Sequence, residues 1–316
     1  MSLLEVRGLT VSYDGPRGTT VQAVAGVDLD VEAGRIVALV GESGCGKSSL
    51  GKAAVGLIAP SGGSIRFAGA PLTPLGRRAR PRPQRKLQMV FQDPFASLNP
   101  RRRIGELIAE GGLVAREAGE APMPVSECLS RVGLDPAMAD RFPHQFSGGQ
   151  RQRIAIARAL AARPRCVVAD EPISALDASA QAAVANLLVD LVRDLDMGLL
   201  LISHDLAIVR RIADETAVMY LGKIVESGPG AEVWRDPLHP YTAGLIRAIP
   251  RPDGAGRLPD DLPGDVPDPA RPPSGCRFHP RCPVAVPACA AAEPPRRTLR
   301  PGRTAACDLL PGPAAG

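Results

Sequence analysis

Aromatic residues are scarce: six Phe, three Tyr and one Trp make up 3% of the 316 residues. That is thin material for the stacking platforms of single-strand nucleic-acid binders, so nucleic acid is not an expected partner. No apolar run approaches the roughly 20 residues a helix needs to cross a bilayer. The opening, Met1 to Leu9, places Glu5 and Arg7 where a secretory signal would need unbroken apolar residues, and it reads as the start of a chain that stays in the cytoplasm. Cysteine is thin through the first three quarters. Cys45, Cys128 and Cys166 read there as small packing residues, Cys45 being the one open to oxidation. What is present, 45% hydrophobic and 22% charged residues, suits a soluble globular protein with one full core and a smaller appendage.

The net charge of +5 is unevenly spread. Arg77, Arg78, Arg80, Arg82, Arg85, Lys86, Arg101, Arg102 and Arg103, opposed within the stretch by Asp93, give residues 77 to 103 a charge of +8. Such a band suits an anionic membrane surface, a protein partner, nucleic acid or plain solvent.

Through about residue 235, β-rich runs alternate with helical patterns: Arg35 to Val40, Cys166 to Ala169 and Leu199 to Ser203 are the clearest strands. Alternation of this kind predicts an α/β fold, a parallel sheet flanked by helices. Between Ala178 and Leu195, Val184, Leu187, Leu188, Leu191 and Leu195 recur at helical spacing and should line one buried face. From about residue 93 to 160 strands are hard to find, which predicts a helical insert. From Pro237 to the end lie 18 of the 33 prolines and four of the seven cysteines, so a boundary is placed near Asp236.

Gly41-Glu42-Ser43-Gly44-Cys45-Gly46-Lys47-Ser48 satisfies the phosphate-loop pattern between an apolar strand and a helical run. Gly41, Gly44 and Gly46 let backbone N–H groups turn inward around phosphate oxygens with Ser43 and Cys45 between them. The helix start at Lys47, Ser48 and Ser49 adds its dipole. Lys47 would neutralise the β and γ phosphates of ATP, and Ser48 would ligate Mg2+. A second strand ends in Asp170 and Glu171, where open α/β sheets bind ligands; Asp170 suits the magnesium, Glu171 the attacking water. Gln92 and His204 end two further apolar stretches. Ser147, before Gly148, Gly149 and Gln150, is a suitable cap for the helix expected from Arg151 to Ala162, and makes a second anion site.

In that order, the phosphate loop, Gln92, the Phe146 to Gln150 segment, Asp170-Glu171, Ser174 to Asp177 and His204 resemble the signature of the ABC ATPases. The resemblance implies a P-loop NTPase (RecA-like) core over residues 1–236, with its helical subdomain at about 93–160. It implies that two such domains dimerise head to tail, Ser147 and Gly149 of one clamping the γ phosphate held by Lys47 of the other. Tyr13 falls where the family stacks an aromatic on adenine, and Asp177 would face the opposing subunit. His204 would hold the γ phosphate, and Gln92 would reach the magnesium and sense the nucleotide for two membrane-embedded permease subunits.

Residues 237–316 resemble the C-terminal extension of ATPases from oligopeptide and dipeptide importers, through Leu238 to Thr242, Leu245 to Pro250 and Cys276 to Pro283. Phe146 to Arg153 and Phe91 to Pro100 are closer to the F-type subunit than to its D-type companion, so a heterodimer with a D-type subunit is expected rather than a homodimer. The resemblance places the chain peripherally at the cytoplasmic face of the membrane, serving an extracytoplasmic substrate-binding protein indirectly. Nickel and glutathione importers carry similar ATPases, and a redox-responsive regulatory subunit is a rival reading. Cys276, Cys282, Cys289 and Cys307 lie in a segment too poor in apolar residues to fold on core burial, which suggests a staple. Disulfides do not suit the cytoplasm. A [4Fe-4S] cluster, which the resemblance favours, zinc with His279 as an alternative ligand, and free thiols all stay open.

Overall fold

The computed structural model describes residues 2–15, 18–76, 80–93, 97–117, 119–249 and 262–310. Two long strands, β1 (Ser2–Asp14) and β2 (Thr20–Glu32), pair antiparallel. In β2, Val27, Leu29 and Val31 are buried while Asp28, Asp30 and Glu32 are exposed, the alternation of a sheet with one face in water. The buried strand β3 (Ile36–Val40) leads through the phosphate loop into α1 (Lys47–Ala54). Strand β4 (Gly62–Phe67) then joins β1 and β5 (Ala70–Pro71) joins β4, so the first sheet runs β2-β1-β4-β5. This antiparallel layer is absent from the expectation of a parallel sheet alone; its signal was the period-two pattern of Val27 to Glu32.

Strand β6 (Leu87–Val90) precedes the helical segment: α2 (Ile104–Glu117), α3 (Val125–Arg131) and α4 (Gly148–Ala161). Then come β7 (Cys166–Asp170), α5 (Ala178–Asp194), β8 (Gly198–Ser203), α6 (Leu206–Ile212), β9 (Glu215–Tyr220) and β10 (Lys223–Pro229). Helix α5 buries Val184, Leu188 and Leu191 as its spacing predicts, together with Ala185 and Val192. Helices α7 (Gly230–Arg235), α8 (Pro240–Arg247) and α9 (Ala288–Ala291) lead to the hairpin β11 (Arg297–Arg300) and β12 (Arg303–Ala305).

The second sheet runs β11-β12-β10-β9-β3-β8-β7-β6, with β9, β3, β8, β7 and β6 parallel. Its central strands are covered on both faces. Ile36, Ala38 and Val40 pack with the helical segment, whereas Val37 and Leu39 pack with the antiparallel layer and α1.

The extension is therefore a continuation of the main sheet. Strand β12 pairs with β10, and the chain keeps regular structure well past residue 290. Buried charge ties this region to the sheet. Arg303 Nη2 lies 2.8 Å from Glu226 Oε1, both side chains being almost wholly buried, and Glu226 also accepts from the backbone N–H groups of Leu238 and His239. Phe278, fully buried, meets the rings of Tyr220 and Tyr241, each 5.3 Å away. Of the readings above, those touching Arg77, Arg78, residues 94–96 of the Phe91 to Pro100 motif, and Pro250 lie outside the described residues.

The basic band is less bare than its sequence suggests. Arg85 pairs with Glu117 and Lys86 with Glu120, Arg102 with Glu106 and Glu110, and Arg103 with Asp140 at 2.7 Å. Acids of α2, Glu120 just after it and Asp140 between α3 and α4 supply the counter-charge, which weakens the band as a footprint for nucleic acid. No helix among the described residues is long and apolar enough to cross a membrane.

Candidate nucleotide site

Strands β3, β8, β7 and β6 stand side by side and parallel, so their carboxyl ends share one edge of the sheet. Each end carries a predicted site residue: Gly41 follows β3, His204 follows β8, Asp170 ends β7 with Glu171 after it, and Gln92 lies two residues beyond β6. Four segments distant in sequence converge because parallel strands cross over in the same direction.

The loop's glycines answer to crowding as well as conformation. Gly41 has φ 153°, and a Cβ there would sit 2.1 Å from the carbonyl oxygen of Met219; at Gly46, φ 106°, it would sit 2.0 Å from that of Ala23. Gly46 caps α1 with no side-chain hydrogen bond, so the first N–H groups of the helix are not claimed by a capping side chain and suit an anion.

Lys47 is buried, and its Nζ donates to the carbonyl oxygens of Gly41 at 2.8 Å and Glu42 at 2.9 Å. These are neutral acceptors that it can exchange for phosphate oxygens. Cys45 is buried, which pushes its thiol pKa up; this runs against the expectation that it is open to oxidation, since the thiolate is the reactive form. Ser48 Oγ donates to Asp170 Oδ1 at 2.9 Å. Burial raises the Asp170 pKa, against the hydrogen bond from Ser48. A hydroxyl and a carboxylate so placed fit Mg2+, which takes few protein ligands and completes its shell with water and phosphate oxygens.

Glu171 has φ 48°, a left-handed conformation rare for a residue with a side chain. Its N–H bonds to the Ile202 carbonyl at 2.9 Å, tying it to β8. One carboxylate oxygen, Oε2, lies 3.1 Å from Nδ1 of His204 and accepts from Nε2 of Gln92 at 3.1 Å. Gln92, His204 and Glu171 thus meet at a single atom beside the phosphate loop, an arrangement able to orient a water for in-line attack. Tyr13, partly exposed, donates to Ser49 Oγ at 3.0 Å, bringing its ring to the start of α1.

Ser147, Gly148, Gly149, Gln150 and Asp177 form a separate group. Ser147 caps α4, Oγ accepting from Gln150 N while Gln150 Oε1 accepts from Ser147 N. Asp177 caps α5 through Ala180 N. The two helix starts adjoin, a Cβ at Gly149 falling 3.1 Å from that of Ala180. Ser147 and Asp177 are exposed, so two helix N-termini present themselves together to solvent.

Cys276, Cys282, Cys289 and Cys307 are drawn into one corner: Cys276 N bonds to Cys289 O at 2.8 Å. Burial, and behind it the proximity of the other cysteines, raises the thiol pKa of Cys276, Cys282 and Cys307. Among the described residues, no group of three or more His, Cys, Asp or Glu is placed to hold a metal ion. The zinc reading, with its four ligands about 2.3 Å from one ion, is not met.

Sequence reasoning passed over several partners of the site. Arg281 grips the Glu42 carboxylate of the phosphate loop at 2.7 and 3.0 Å, and Tyr241 Oη accepts from Glu42 N at 3.0 Å. Arg281 belonged to a segment that was recognisable, but no local pattern tells which residue a lone arginine will reach.

Comparison with known proteins agrees with this geometry. The profile of the ABC transporter family matches residues 24–174, and that of the oligopeptide/dipeptide transporter C-terminal region matches residues 225–289. A provisionally named peptide import ATP-binding protein of Brucella ovis is 47% identical, the match covering 96% of this chain and 97% of that one. The di/tripeptide transport ATP-binding protein DppF of Pseudomonas aeruginosa is 44% identical over 94% and 95% of the two chains. Among solved structures, the ATP-binding cassette MJ0796, a post-hydrolysis dimer bound to ADP and Pi, superposes with a TM-score of 0.62 at 26% identity, over 72% of this chain and 98% of its own. The loop, the carboxyl edge of the sheet and the relatives agree: this chain belongs to the ABC transporter family and is one of its ATP-hydrolysing, ATP-binding subunits.

Proposed function

We propose that the chain is the energy-coupling subunit of an importer for di- or oligopeptides, divided at about residue 236 into a nucleotide-binding domain and an extension. The observation that carries this reading is the union, in one chain, of the Glu171, His204 and Gln92 cluster at the phosphate loop with a C-terminal region of the oligopeptide/dipeptide type. Lys47 and the loop amides bind the phosphates, Tyr13 stacks on adenine, and Ser48 and Asp170 with Gln92 hold Mg2+, which screens the charge that develops on the phosphates. Glu171 polarises the water, and His204 holds the γ phosphate. Ser147, Gly148, Gly149 and Gln150 complete the nucleotide of a partner, with Asp177 beside them; the exposed pair of helix starts supports that assignment.

The partner is a D-type ATPase subunit, and the pair sits peripherally at the cytoplasmic face, below two permease subunits that receive substrate from an extracytoplasmic binding protein. A cleft of about 620 Å3, lined by Leu57, Phe91 and Val114 together with Arg85, Glu110 and Arg158, includes the residue next to Gln92 in sequence and suits an amphipathic segment of the permease. For the cysteines, the finer reading is a [4Fe-4S] cluster. Cys276, Cys282, Cys289 and Cys307 would be its thiolate ligands. Iron and acid-labile sulfide in anaerobically purified protein support it, and their absence removes it.

The test of the main reading is peptide uptake by proteoliposomes holding the whole complex. Glu171→Gln should stop uptake while ATP stays bound; undiminished peptide uptake, or uptake of nickel or glutathione in its place, overturns it.

A further inference from the structure

Glu42 is the acid of the phosphate loop, and it stands in the same turn as the ammonium that must meet a triphosphate. Its carbonyl accepts from Lys47 Nζ at 2.9 Å. Left free, its carboxylate would compete for that ammonium and would repel the incoming phosphates, an interaction that is strong at short range in a half-buried site.

The extension disposes of this charge. Arg281 is almost wholly buried, and its guanidinium is used along the whole fork: Nη1 and Nη2 take both oxygens of Glu42, and Nε donates to the Pro263 carbonyl at 2.9 Å. The Glu42 hydrogen bonds raise the Arg281 pKa, so the cation is permanent. A planar fork holding both oxygens fixes the direction of a carboxylate as well as its charge. From the other end of the extension, Tyr241 accepts the Glu42 N–H at 3.0 Å and packs against Tyr220 with ring centroids 4.6 Å apart. Residues 241 and 281 therefore hold the backbone and the side chain, respectively, of one loop residue.

We propose that Arg281 is a positioning residue of the ATP site: it turns the Glu42 carboxylate away from Lys47, leaving the ammonium on exchangeable carbonyls and available to phosphate. This assignment rests on Gly41 to Ser48 being the phosphate site.

ATP affinity of the full-length chain, measured by displacement of a fluorescent ATP analogue, tests it alongside KM and turnover. Arg281→Gln should weaken ATP binding about tenfold and raise KM with little change in kcat, while Glu42→Gln added to it should bring affinity back to within about twofold. Rescue by removing the second charge is a result that mere loss of packing does not give. ATP affinity in Arg281→Gln equal to wild type at an unchanged melting temperature overturns the proposal, as does a double variant as weak as the single one. Should Arg281→Gln not fold, Glu42→Gln alone decides: with Arg281 retained it should bind ATP at least as tightly as wild type, and weaker binding refutes the role. Lys47→Ala separates the two levels. If it too leaves ATP binding intact, the phosphate site itself is misassigned; if it abolishes binding while Arg281→Gln does not alter it, the clamp alone falls.

Discussion

The phosphate loop and the C-terminal extension meet at Glu42, yet they are held by opposite means. The loop is positioned by backbone: glycines pressed against the carbonyls of Met219 and Ala23, and strands covered on both faces. The extension is positioned by side chains, through the buried pairs of Arg303 with Glu226 and Arg281 with Glu42 and the packing of Tyr241 and Phe278 into the core. The difference teaches where tolerance to substitution lies. A site built on backbone survives the loss of its reactive side chains, whereas a module fastened by buried ions fails when one ion loses its partner.

Glu171→Gln should test the first half most severely. Turnover should fall by about 10² to 10⁴, the range for removing a general base, while the melting temperature stays at the wild-type value; a melting point that fell with activity would break the contrast. Arg303→Ala should do the reverse to the extension. Stability should drop by about 3 to 5 kcal/mol, as for a buried pair stripped of one partner, read by chemical denaturation.

His239 sharpens the same contrast through pH. Its ring is buried, which lowers its pKa from 6.5 to about 4, and Nδ1 accepts from Tyr241 N at the start of α8. The folded ring takes up a proton less readily than the unfolded one, so this contribution is complete above pH 6.5 and is lost as pH falls towards 4. The loss is on the order of 3 kcal/mol. His239→Gln should flatten that part of the stability profile. The smallest effect belongs to Tyr13→Ala, which should weaken ATP binding by about 1 kcal/mol, at the low end for aromatic stacking on a base, without touching the extension.

The two regions were unequally legible in the sequence. The loop, Asp170-Glu171 and the cap at Ser147 are contiguous patterns whose chemistry follows from spacing, and the parallel strands that gather them are runs of buried residues. What joins Glu171 to both Gln92 and His204 is tertiary, and its single shared oxygen could not be read from three separate stretches. In the extension the informative residues were two arginines, Arg303 and Arg281, 77 and 239 positions from their glutamate partners. The rarity of cysteine is visible in a sequence, whereas a buried arginine looks like an exposed one until its neighbour is known. The antiparallel layer has its signal in the alternation from Val27 to Glu32, which the more extensive α/β pattern outweighs.

The pairing of β10 with β12 also determines what can be cut away. With the hairpin in place the sheet ends at β11, four residues long and carrying Arg297 and Arg300, a short charged border that discourages further strand addition. A chain truncated before the hairpin would end its sheet at β10 instead, offering unpaired backbone donors and acceptors beside the stranded charge of Glu226. Such a fragment invites edge-to-edge association, so the first 236 residues are a poor choice for expression alone, however complete their ATP motifs look.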